Sequence, residues 1–338
     1  MNSSAPTTAT DLAVEARGLV KSFGAKGSNA VRAVDGIDLE IRRGEVYGVL
    51  GPNGAGKTTT LKMLATLLPI DAGSATIFGV DVATEPHQIR QMVGVTGQYA
   101  SVDENLTATE NLYLFGRLLG LSGSAAKRTA ADLLERFGLE EAASRQIKNF
   151  SGGMRRRLDL AASLIARPPL IFLDEPTTGL DPRTRGQMWD TIRELVAQGA
   201  TILLTTQYLD EADQLADRIA VIDRGAKVAE GTSGELKASV GSSTLQIRLT
   251  DKSHTAMAAQ LVTNVLGEEP VLTPEAGGLN VPLPDANRAA DVLIALRQAS
   301  LGISTANVAQ PTLDEVFLAI TGRHTEETDQ TETEEVAV

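Results

Sequence analysis

Short apolar runs separated by glycine turns fill the first part of the chain. Residues 12–16, 37–41 and 75–78 read as strands. A stronger strand at 45–50 runs straight into a glycine-rich loop. The apolar positions then change period. Leu61, Leu64, Leu67 and Leu68 fall at helical spacing, which predicts a helix over 57–68 that Pro69 ends. Residues 104–168 are mostly helical in pattern. From 170 onward strands and helices alternate: strands at 170–173, 201–205 and 219–223, with helices at 182–198 and 209–215 between them. That alternation predicts an α/β fold built on a mostly parallel sheet covered by helices.

The pattern shifts near 241–243. Beyond it lie strands at 245–249, 279–283 and 304–308 and helices at 255–266 and 286–300, a small α+β arrangement. A closing helix starts at Thr312, which forms a capping box with Glu315 and leads a face of Leu313, Val316, Phe317 and Ile320. The expected organisation is a leader over 1–11, a large domain over 12–240, a small α+β domain over 243–322 and an acidic tail over 323–338. The leader and tail are too polar to form a core, so disorder is expected there.

Composition narrows the function. Hydrophobic residues make up 42 % of the chain, enough for a sizeable core, and aromatics only 4 %, so aliphatic side chains must fill it. A net charge of -12 repels phosphate backbones and argues against nucleic acid as a partner. The arginines at 155–157 are too few to reverse that. With no cysteine, thiolate chemistry and cysteine-based metal sites are excluded. No apolar run reaches the ~18–20 residues that cross a bilayer, and the N-terminus lacks the basic start and apolar stretch of a signal peptide. A cytoplasmic protein is expected.

Two segments carry chemistry. Gly51-Pro52-Asn53-Gly54-Ala55-Gly56-Lys57-Thr58 matches the phosphate-loop pattern G-x-x-x-x-G-K-[ST]. Glycines let successive backbone N–H groups turn inward around an anion, and the following helix presents its positive end to it. Lys57 is expected to reach the β- and γ-phosphates of ATP, Thr58 to ligate Mg²⁺ and Thr59 to add a phosphate contact. The second segment, Leu170-Ile171-Phe172-Leu173-Asp174-Glu175, is an apolar strand ending in two acids. Ligands of parallel sheets bind beyond the strands' carboxyl ends. Asp174 is therefore expected to hold Mg²⁺ through water, and Glu175 to orient or deprotonate the attacking water.

With these segments, residues 12–235 resemble an ABC ATPase. Phe150-Ser151-Gly152-Gly153-Met154 is similar to the family signature written LSGGQ. The resemblance implies a P-loop NTPase with an antiparallel β-subdomain and a helical subdomain. It also implies a head-to-tail homodimer in which Ser151, Gly152 and Gly153 meet the γ-phosphate of ATP held by the other subunit. Gln98 stands where the family has a glutamine that senses Mg²⁺ and faces the permease. Gly179-Leu180-Asp181 resembles the dimer-contact loop and adds Asp181 to the nucleotide site. Phe23 lies where an aromatic stacks on adenine, although an ordinary core phenylalanine would read the same way. In one departure, Gln207 occupies the place of the usual histidine. Glutamine can bond a γ-phosphate but carries no charge and shuttles no proton.

Gln207-Tyr208-Leu209-Asp210-Glu211-Ala212-Asp213 and Pro311-Thr312-Leu313-Asp314-Glu315-Val316-Phe317-Leu318 look like the daunorubicin-resistance type of exporter ATPase. That resemblance implies a separate integral membrane permease as partner, a peripheral position on the cytoplasmic face of the membrane, and a drug-like or lipid-like cargo. The alternatives are an ABC ATPase outside transport and an ATP-controlled switch that hydrolyses weakly. A small-molecule kinase shares the phosphate loop but has no need of Ser151-Gly152-Gly153.

Overall fold

The computed structural model describes residues 11–24, 31–97, 102–241, 243–272 and 277–322. The leader up to Thr10, the tail from Arg323 and Gln98 lie outside the described residues. The chain divides between Ser233 and Gly234 into two compact units. This break falls ahead of the composition shift at 241–243.

In the first unit, β1 (Leu12–Phe23), β2 (Val31–Arg42), β4 (Ala72–Ile77) and β5 (Val80–Asp81) form an antiparallel sheet in the order β2-β1-β4-β5. The central sheet contains β3 (Val46–Leu50), β6 (Val93–Thr96), β7 (Leu170–Asp174), β8 (Thr201–Thr206), β9 (Arg218–Asp223) and β10 (Ala226–Gly231), ordered β10-β9-β3-β8-β7-β6. Its neighbours are parallel except β9 and β10. The helices of this unit are α1 (Lys57–Leu64), α2 (Pro86–Met92), α3 (Ala108–Leu118), α4 (Gly123–Arg136), α5 (Gly152–Ser163), α6 (Pro182–Ala197) and α7 (Leu209–Leu215).

The continuous apolar runs of the central strands follow from burial on both faces. Alternate side chains of β7 enter different cores. Ile171 and Leu173 pack with Leu112, Leu133, Leu158 and Ile192 of the helices. Leu170 and Phe172 pack with Leu61 and Leu64 of α1 and with Leu19, Ile37 and Leu39 of the antiparallel sheet. Phe172 has no exposed surface. Phe172→Ala is expected to destabilise this unit by about 3–5 kcal/mol, read as a lower urea midpoint of its unfolding transition.

One boundary differs from the sequence expectation. The helix after the phosphate loop ends at Leu64, not at residue 68. Thr66 turns to a left-handed φ of 61°, and Leu67 is left exposed. The apolar spacing continued beyond the helix, but the backbone did not.

The second unit contains α8 (Ser233–Val240) from Gly234 on, then β11 (Ser243–Leu249), α9 (Thr255–Leu266), β12 (Val271–Leu272), β13 (Gly278–Leu283), α10 (Arg288–Gln298), β14 (Ile303–Ala309) and α11 (Leu313–Thr321). The antiparallel sheet runs β12-β13-β11-β14. With α9 and α10 this is the split β-α-β arrangement of ferredoxin-like folds. Its core joins Leu245, Ile247 and Leu249 to Val262, Leu279, Val281, Val292 and Leu296. The capping box at Thr312 and Glu315 is present, and Leu313, Val316 and Phe317 are buried. Ile320 is only partly so.

Candidate nucleotide site

The site is built at the carboxyl ends of β3, β7 and β8. The register pairs Leu50 with Thr206 and Asp174 with Thr205. The phosphate loop, the two acids and Gln207 therefore all emerge from one edge of the sheet. Gly51 N donates to Thr206 O at 3.3 Å, which ties the loop's first residue to β8. Gly56, the cap of α1, has φ 104°, and a Cβ on it would lie 2.4 Å from Ala33 O. A glycine is required there by backbone conformation and by space. Gly54 also has positive φ. Thr58 and Thr59 lie in the first turn of α1, where the helix leaves its N–H groups free for an anion.

Lys57 is buried. Its Nζ donates to Gly51 O (2.9 Å) and Pro52 O (3.1 Å) and pairs with Glu175 Oε1 at 3.2 Å. Burial lowers the Lys57 pKa, against the attraction of Glu175 and Asp174, which raises it. Thr58 Oγ1 and Thr205 Oγ1 both donate to Asp174 Oδ1, at 2.9 and 2.6 Å. The Thr58 hydroxyl at the start of α1 and the Asp174 carboxylate at the end of β7 are hard oxygen donors. They fit Mg²⁺, which keeps several waters and takes one or two protein ligands beside phosphate oxygens. Among the described residues no three His, Cys, Asp or Glu side chains gather to hold a metal by themselves.

Glu175 is buried with a left-handed φ of 48°. Its N–H donates to Thr205 O at 3.0 Å, and Thr178 Oγ1 donates to its Oε2 at 3.4 Å. Behind it, Thr177 Oγ1 and Trp189 Nε1 donate to Oε1 of Glu211, a fully buried carboxyl whose pKa burial pushes up. Gln207 directly follows β8 and is half-buried. Arg185 lies over the ring of its neighbour Tyr208, 4.8 Å from the centroid.

Ser151 caps α5, its Oγ accepting from Met154 N at 3.3 Å. Ser151 and Gly152 are exposed. A Cβ on Gly153 would lie 2.5 Å from Thr184 Cγ2, so this helix start packs tightly on the start of α6. Asp181 caps α6, accepting from Thr184 N (3.0 Å) and Thr184 Oγ1 (2.6 Å). Those bonds, the side-chain one first, hold its pKa low. The Ser151 and Asp181 turns do not close on the phosphate loop through any hydrogen bond given by the described residues. Phe23 ends β1 with 43 % of its surface exposed, so the core reading of this ring fails. Lys21 Nζ lies 5.8 Å from its centroid.

Three residues at the site were not singled out as functional from sequence. Thr205 gave no local signal, and Glu211 was read only as part of the 207–213 motif. Arg156 was counted only as one charge of three, yet its guanidinium reaches Gly97, Asp174, Glu175 and Pro176.

The family model described as ABC transporter matches residues 34–178. Daunorubicin/doxorubicin resistance ATP-binding protein DrrA of Streptomyces peucetius is 53 % identical over 325 residues, covering 96 % of both chains. The chain belongs to the ATP-binding proteins of ABC transporters. Doxorubicin resistance ATP-binding protein DrrA of Mycobacterium tuberculosis is 45 % identical over 319 residues, covering 94 % of this chain and 96 % of the relative. A dimeric ATP-binding cassette solved in a post-hydrolysis state with ADP and Pi aligns with a TM-score of 0.60 and 26 % identity, over 65 % of this chain and 98 % of that one. This ABC ATPase is thus the ATP-binding, ATP-hydrolysing subunit of a transporter related to drug-resistance exporters. Proteins of this kind generally work as dimers with a membrane permease. No helix among the described residues is long and apolar enough to cross a membrane.

Proposed function

We infer that the protein drives export of an amphiphilic, drug-like or lipid-like cargo, as a homodimer on the cytoplasmic face of a separate membrane permease. The observation that carries the catalytic reading is the meeting of Lys57, Thr58, Asp174 and Glu175 at the carboxyl ends of the parallel strands. The full-length similarity to DrrA supports the export reading.

ATP lies with adenine on Phe23 and its phosphates in the loop from Gly51 to Thr58, with Thr59 beside them. Lys57 and the N–H groups at the start of α1 hold the β- and γ-phosphates. Thr58 and Asp174 would hold Mg²⁺, which neutralises charge on those phosphates, and Gln98 would complete the set. Lys57 cannot serve both a γ-phosphate and Glu175 fully. As the phosphate draws the ammonium, the Glu175 carboxylate turns to water. Ser151, Gly152 and Gly153 of the partner subunit, with Asp181 near the contact, cap the γ-phosphate and exclude bulk solvent.

Glu175 then accepts a proton from a water whose oxygen attacks the γ-phosphorus in line. ADP leaves, and the negative charge that spreads over the phosphoryl oxygens is met by Lys57 and by the helix start. Closure on ATP is the step that moves the permease, because binding energy available only in the closed state shifts a two-state equilibrium.

Gln207 offers the phosphate a neutral hydrogen bond where an imidazolium would offer a charged one. Gln207→His is expected to raise turnover about fivefold, the worth of making one hydrogen bond charge-assisted. The gain should be larger near pH ~6.5 than at higher pH, because imidazole loses its proton in that range. Steady-state hydrolysis against pH checks this. The export reading is tested in inverted vesicles that carry the protein with its permease. ATP-dependent uptake of a fluorescent amphiphile, lost in Glu175→Gln, supports it. Full hydrolysis that no permease and no amphiphile alters favours an ATPase outside transport.

A further inference from the structure

Arg156 lies on α5, the helix that begins at Ser151, but its guanidinium is spent elsewhere. Nη1 donates to Gly97 O at 2.6 Å. Nη2 donates to Asp174 O at 3.1 Å and Glu175 O at 2.6 Å, and Nε to Pro176 O at 3.1 Å. Three of these carbonyls belong to consecutive residues, the two acids and Pro176. The fourth precedes Gln98.

The need for such a brace is visible in the backbone. Glu175 has φ 48°, a conformation that costs a non-glycine residue free energy and persists only where its surroundings over-determine it. On the N–H side Glu175 is held by Thr205 O. On the carbonyl side it accepts from Arg156 Nη2 at 2.6 Å and, less closely, from Thr178 N at 3.3 Å. Without the guanidinium, Glu175 O would keep only the longer bond from Thr178 N, and Pro176 O would need another donor. A planar guanidinium can meet several carbonyls in fixed directions, whereas an ammonium on a flexible stem cannot. Burial lowers the Arg156 pKa, against the attraction of Asp159, Asp174, Glu175 and Glu211, which raises it.

The geometry points to Arg156 as a positioning residue for hydrolysis: it fixes the peptide of Glu175, and with it the direction of the carboxylate, to the helix that carries Ser151 and Gly152. A shift of α5 on dimer closure then moves the carbonyls of Glu175 and Gly97 together. The partner's phosphate and the water to be activated are thereby linked through one side chain. Arg156 thus acts through the backbone of Glu175. This inference rests on Glu175 being the base.

The test compares the full-length parent with Arg156→Lys, Arg156→Ala and Glu175→Gln, measuring kcat and KM for Mg-ATP, binding of a fluorescent ATP analogue and Tm. Both Arg156 variants are expected to bind the analogue within about twofold of the parent while kcat falls about 10- to 100-fold, the scale of a misplacement of about 1 Å. Millimolar guanidinium ion should restore part of kcat to Arg156→Ala and none to Glu175→Gln. Arg156→Lys folds with a similar charge and length, so it reports even where Arg156→Ala does not fold. Parent-like kcat in Arg156→Lys beside an inactive Glu175→Gln overturns the positioning role. So does a loss of kcat in Arg156→Ala that only tracks the folded fraction and ignores guanidinium. Parent-like turnover in Glu175→Gln overturns the assignment of the base beneath it.

Discussion

Glu175→Gln is expected to lower ATP turnover by about 10²–10⁴-fold, the usual contribution of a positioned general base, while ATP binding persists. The amide keeps the shape of the carboxylate and can still meet Thr178, but it cannot accept the proton of the attacking water. It also removes the charge that pairs with Lys57 at 3.2 Å. The ammonium is then free for the γ-phosphate, so ATP should bind at least as tightly as in the parent. A dimer closed around two ATP molecules should accumulate, because the step that reopens it is blocked. Steady-state phosphate release and size-exclusion light scattering with and without Mg-ATP measure both effects. A variant that stays monomeric and hydrolyses at the parent rate refutes the role of Glu175.

Lys57→Ala acts on both the bound and the free protein. In the complex, loss of a charged hydrogen-bond donor worth about 1.5–3 kcal/mol weakens ATP affinity about 10- to 150-fold. In the free protein the same change leaves the Glu175 carboxylate buried without its cation. Breaking a buried pair in this way costs about 3–5 kcal/mol. The nucleotide-free variant should therefore melt earlier than the parent. Lys57→Ala combined with Glu175→Gln should recover most of that Tm loss and none of the affinity. Equal Tm in the single and double variants would show that the pair contributes nothing to the free protein's stability. Isothermal titration with ATP and thermal unfolding separate the two effects.

Much of this site was legible in the chain because the decisive residues are close in sequence. The phosphate loop is one continuous segment. Its glycines, its lysine and the helix after it state their geometry locally: Gly56 must be glycine because φ is 104° and Ala33 O is 2.4 Å from where a Cβ would be. The run from Leu170 to Asp174 announced a buried strand because each residue must satisfy one of two cores. The cap at Thr312 is likewise a three-residue hydrogen-bond pattern.

The tertiary structure decided what depends on contacts distant along the chain. Thr205 is a site residue because the register of β7 and β8 sets it against Asp174, thirty-one positions away. Arg156 faces the acids because α5 lies beside the end of β7, and its two flanking arginines do not share that view. Helix length after the phosphate loop also depended on context. The leucine spacing fitted a helix to residue 68, but Thr66 took a left-handed turn and Leu67 remained outside the core. Side-chain period records which faces are apolar. It does not record where the backbone stops supporting them. Sequence by itself determined that this chain binds and cleaves a nucleoside triphosphate on a parallel sheet, because those instructions are local. Which side chains brace the acids, and which cation guards Glu175, were set only when strands and helices far apart in the chain were brought into contact.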